Sequence, residues 1–133
     1  NDGLKTALVL AAILLAVVGG FASHIYTKNI LLEDLEEVNE SYNIARQSLL
    51  ADGINSSAEI DKLESSFAEF TAKYSSYRPL VVRMDGNFSS RNAEILAAIS
   101  RSKQAGMQGD APSSQRQLEG AGDIISAMIR DYQ

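Results

Sequence analysis

The chain has 133 residues, enough for one ordinary domain and too few for two. It is 45% hydrophobic and 22% charged with a net charge of −5, which excludes wholesale disorder and leaves no basic stripe for a phosphate backbone, so nucleic acid is not an expected partner. The absence of cysteine and the single histidine exclude disulfide frameworks, Fe–S clusters and thiolate zinc sites, and remove most metal-site and triad chemistry.

The charge is unevenly spread. Residues 6–23 carry none, the first 28 residues hold Lys5 and Lys28 against Asp2, and residues 29–133 hold 10 Lys/Arg against 16 Asp/Glu. Two regions follow: residues 1–28, an apolar helix with a short N-terminal tail, and residues 29–133, an acidic helical body. The run TALVLAAILLAVVGGFAS (6–23) is uncharged over 18 residues, and Ile25 and Tyr26 lengthen it. That suffices to cross a hydrocarbon core, and it lacks the polar residue every third or fourth position that a soluble core helix shows. Tyr26 and Lys28 fit an interfacial anchor, a ring at the headgroups and an ammonium that snorkels.

The rival for this segment is a secretory signal, with Lys5 as its basic start and Gly20 and Ala22 as small residues before a cut; the apolar run is longer than such segments usually carry. One lysine flanks each end, so charge bias leaves the orientation open. The reading adopted is a single-pass helix with a short cytoplasmic N-terminus and an extracytoplasmic body. The opening at Asn1 rather than Met is expected of a processed or partial chain. Within the span, Ala12, Ala16 and Gly20 recur every four residues and put small side chains on one face, where another membrane helix can approach closely.

Beyond Lys28 the pattern becomes heptad-like. Leu31, Leu35, Val38, Tyr42, Ala45 and Leu49 follow 4-3-4-3-4 spacing, one apolar seam on a helix that continues the membrane helix outward as a rod over 29–51. Asp52-Gly53 ends it, glycine supplying the left-handed cap. A capping box, Ser56-Ser57-Ala58-Glu59, opens a second helix over 57–78, whose seam is Ile60, Leu63, Phe67, Phe70, Tyr74, Tyr77 and Val81. Arg78-Pro79 interrupts it and Asp85-Gly86-Asn87 reads as a turn. A third helix is expected over 89–104 on Ile95, Leu96 and Ile99. A loop over 106–114 precedes the last helix, 114–132, on Leu118, Ala121, Ile125, Met128 and Tyr132, with Gln117 as box partner of Ser114. Gly120 and Gly122 weaken its first turns, so that end is expected to fray or to pack closely. The fold class is therefore all-α: one membrane helix, then about four amphipathic helices forming either an up-down-up-down bundle or a coiled-coil hairpin shared between chains.

The chemistry is sparse. His24, four residues after Gly20, is a candidate ligand for a pigment or haem, and its GxxxH spacing resembles the AxxxH of antenna polypeptides; the competing reading is an interfacial, hydrogen-bonded histidine. No cofactor and no metal site is expected. Glu33, Asp34, Glu36, Glu37 and Glu40 lack the spacing of a calcium loop and read as a solvated face. Asn39, Asn55 and Asn87 each begin a glycosylation sequon, weak support for surface exposure. No nucleophile–base pair, phosphate-cradling glycine loop or HExxH is present, so an enzyme is not expected.

In outline the layout resembles three families. Chemoreceptor ectodomains place a four-helix bundle directly after a first membrane helix, which implies a sensory role and a second span. LemA-like proteins pair an N-terminal membrane helix with long helices; their RxDLIPNL-type segment is not found. Type IV pilin-like subunits begin with a hydrophobic helix that runs on as an amphipathic rod, which implies a filament; where they carry phenylalanine first and glutamate fifth, this chain has Asn1 and Lys5. The expected function is a non-enzymatic structural or assembly subunit that packs through its membrane helix and its helical seams into a homo-oligomer, a pilin-like filament or a larger membrane complex, bound to the lipid bilayer and to other membrane helices or copies of itself, with no evident small-molecule substrate. The alternative is the bundle ectodomain of a receptor.

Overall fold

The computed structural model describes residues 2–53, 57–77 and 87–133. Four helices account for nearly all of them: α1 (Asp2–Asp52), α2 (Ser57–Tyr77), α3 (Phe88–Met107) and α4 (Ala111–Tyr132). Among the described residues there is no strand.

The 51 residues of α1 make a rod about 76 Å long at 1.5 Å per residue. Gly19-Gly20 does not interrupt it. The rod stops where Gly53 takes φ +62°, the left-handed conformation that glycine adopts without a Cβ clash. The expected capping box and the Arg78-Pro79 break involve Ser56 and residues 78–86, which lie outside the described residues.

Above Thr27 the four helices close on one core. Leu31, Leu35, Val38, Tyr42, Ala45 and Leu49 of α1 meet Ile60, Leu63, Phe67, Phe70 and Tyr74 of α2, Ile95, Ala98 and Ile99 of α3, and Leu118, Ala121, Ile125, Met128 and Tyr132 of α4; all are buried. Each helix packs on its neighbours in the order α1, α2, α3, α4 and back to α1. Cross-links run in opposite directions between neighbours: Lys28 meets Gln133 and Arg46 meets Glu119, while Thr71 meets Asn92 and Lys103 meets Asp61. The body is an up-down-up-down four-helix bundle within one chain. Ion pairs bridge every neighbouring pair of helices: Arg46–Glu119 at 3.3 Å, Lys73–Asp34 at 3.2 Å, Arg91–Asp131 at 2.7 Å, and Lys103–Asp61 at 2.7 Å. The Arg46–Glu119 and Lys103–Asp61 pairs are solvated and contribute at most about 1 kcal/mol each, while Asp34 and Arg91 are largely covered by the bundle.

Four expectations are corrected. Leu96, grouped with Ile95 and Ile99, is 39% exposed; it lies one position round the helix from Ile95, and Ala98, Ser102 and Ala105 fill the inner face instead. The long loop over 106–114 shrinks to Gln108-Gly109-Asp110, with Gly109 at φ +76°. Helix α4 starts at Ala111 rather than Ser114, because Asp110 Oδ1 accepts from Ser113 N at 3.1 Å and Pro112 sits in the first turn, where its missing amide has no intrahelical acceptor to lose. Gln117 then faces α3 and accepts from Arg101 Nε at 2.9 Å rather than closing a capping box.

The two α4 glycines behave differently. A Cβ on Gly122 would fall inside the Tyr42 ring, whereas a Cβ on Gly120 meets nothing within 4 Å. Gly122 is therefore the close approach of α4 to α1, and no packing contact explains Gly120.

Candidate functional site

The candidate site is the uncovered length of α1 and the foot of the bundle from which it emerges. Across residues 2–26 every side chain is exposed except His24, which is half-buried. The large apolar side chains there range from 42% exposed at Ile25 to 73% at Leu15. Soluble monomers rarely leave so large a contiguous apolar surface open to water. Residues 6–26 span about 31 Å as a helix, against a hydrocarbon core of about 30 Å. Among the described residues this is one helix long and apolar enough to cross a membrane, and none of its apolar window is buried by the rest of the chain.

Ala12, Ala16 and Gly20 all lie on this uncovered stretch. A Cβ at Gly19 or Gly20 would meet nothing within 4 Å, so no part of the chain itself occupies the small-residue face. His24 lies one turn below Thr27, which is 1% exposed and is the first residue the bundle covers. Thr27 escaped the sequence reading because it is polar, although it sits four residues before Leu31, one step back along the seam. At the same level Tyr26 is exposed and Lys28 Nζ donates to the Gln133 backbone oxygen at 3.2 Å.

The foot is aromatic. Phe70 lies 6.0–6.5 Å from Phe67, Tyr74, Phe88 and Tyr132, ring centre to ring centre, and Tyr74 stacks on Phe88 at 3.7 Å with 10° between planes. Phe67, Phe70 and Tyr74 of the α2 seam are thus core, joined by Phe88 and Tyr132 from the two other helices that end at this level; Tyr77 is the last residue of α2. Such offset and edge contacts add about 0.5–1.5 kcal/mol per pair beyond the area buried. They make a firm base at the point where α1 leaves the bundle.

The remaining candidates are surface or structural groups. Glu33, Glu36, Glu37 and Glu40 are exposed on the outer side of α1, while Asp34 turns inward to Lys73. Asn39 is half-buried in mid-helix, Asn87 is the exposed N-cap of α3, and Asn55 lies outside the described residues. Among the described residues no group of three or more His, Asp or Glu is placed to hold a metal ion. Tyr42, Lys103 and Glu119 titrate away from their ordinary range, each through its neighbours in the bundle. Burial between α1 and α4 pushes the Tyr42 hydroxyl up. The hydrogen bond to Asp61 raises Lys103. Hydrogen bonds from Gln115 and then Arg46 lower Glu119.

At the α3–α4 crossing, Ser102 Oγ donates to the Ser114 carbonyl at 2.8 Å and Ser114 Oγ to the Ser102 carbonyl at 2.7 Å, both fully buried. Each hydroxyl has one proton and gives it to a carbonyl, so the 3.0 Å approach of the two Oγ atoms is a close contact within a closed pair. No family model, curated protein or solved structure matches this chain.

Proposed function

We propose that the chain is a non-enzymatic, membrane-anchored structural or assembly subunit. Residues 6–26 cross the bilayer as one span, and the bundle stands on the extracytoplasmic side. Through Ala12, Ala16 and Gly20 the span packs against other membrane helices or copies of itself, in a homo-oligomer, a pilin-like filament or a larger membrane complex. The observation that carries this is the unbroken run of α1 from a wholly uncovered apolar segment into a bundle whose seams are already filled by its own four helices. With the bundle's seams satisfied within the chain, the uncovered small-residue face is the surface left for association in lipid. The test replaces Ala16 and Gly20 together by leucine, which meets no obstacle within the chain at Gly20, and measures particle mass by light scattering in mild detergent. A multi-chain particle that falls to single chains supports the interface, and an unchanged particle overturns it.

A sensory ectodomain is the second reading. It is favoured by the return of α4 to the foot of the bundle, where Gln133 meets Lys28, the direction in which a receptor chain re-enters the membrane. Intact mass of the native protein separates the two: an extension beyond Gln133 carrying another apolar span supports the receptor.

A further inference from the structure

We draw no further inference here: the strongest candidate, the groove between α2 and α3 at the end of the bundle away from the uncovered length of α1, floored by Leu49 and Ile60, carries nothing, because Asp61 and Lys103 at its rim neutralise each other in one ion pair and nothing in the structure shows what covers it.

Discussion

Helix α1 contains two regions that share one backbone and differ in what covers them. Below Thr27 every face is apolar and no side chain is fully buried; above it, one stripe is buried in protein and the opposite side carries Glu33, Glu36, Glu37 and Glu40 in water. The difference lies in periodicity rather than in hydrophobic content alone. A stripe repeating every three or four residues calls for a protein partner on one side, whereas an apolar surface on all sides calls for a solvent that is itself apolar. Because no break separates the two regions, the direction of the apolar segment fixes the direction of the bundle above it.

The sharpest way to break that comparison is the same substitution placed in each region. Leu35→Ala, in the filled core, is expected to cost about 2–5 kcal/mol of bundle stability. Leu14→Ala, on the uncovered span, is expected to change it by less than about 0.5 kcal/mol; thermal unfolding of the two variants in the same bilayer mimic compares them. The second effect is smaller and tests how α1 is held to α4. Gly122→Ala drives a methyl into the Tyr42 ring and is expected to cost about 1–3 kcal/mol, while Gly120→Ala, facing open space, gains up to about 1 kcal/mol from helix propensity. Replacing Tyr42 by Leu should recover part of the Gly122→Ala loss, and strictly additive effects would place the contact elsewhere.

The smallest effect is on pH dependence. Gln115 and Arg46 hold Glu119 below the usual carboxylate range in the folded bundle. Its contribution is therefore present above the unfolded carboxylate value, about 4.3, and is lost as pH falls through the lower folded value. Arg46→Met should lower stability slightly at neutral pH, leave it unchanged once pH has fallen below the folded value, and so flatten the profile between the two, as read from urea unfolding at several pH values. Glu119 is solvated, so the change is small.

Much of the architecture was legible because heptad spacing names the inward face directly: the α1 seam from Leu31 to Leu49, the α2 seam through Tyr74, and the α4 stripe ending at Tyr132 are all buried. Spacing does not name the partner across the core. The seating of the Tyr42 ring on Gly122, the reciprocal Ser102–Ser114 pair and the arrival of Phe88 and Tyr132 around Phe70 depend on where three other helices lie, and no local pattern encodes that. The start of α4 was misread for a local reason: Asp110 and Ser114 both qualify as caps, and the positive φ at Gly109 with the Asp110–Ser113 hydrogen bond decides for the earlier one. The four-residue spacing of Ala12, Ala16 and Gly20 was legible, and all three lie on the uncovered length of α1.

The absence of native cysteine allows the central claim, a lipid-covered lower helix continuous with a protein-covered upper one, to be tested by single-cysteine scanning of α1 in sealed vesicles with a water-soluble maleimide. The account predicts that positions 8–20 stay unreactive on every face until the bilayer is dissolved, whereas above Thr27 reactivity alternates, with Glu33 and Glu37 labelled and Leu35 and Val38 protected. Helical alternation of labelling within residues 8–20 in intact vesicles would contradict it.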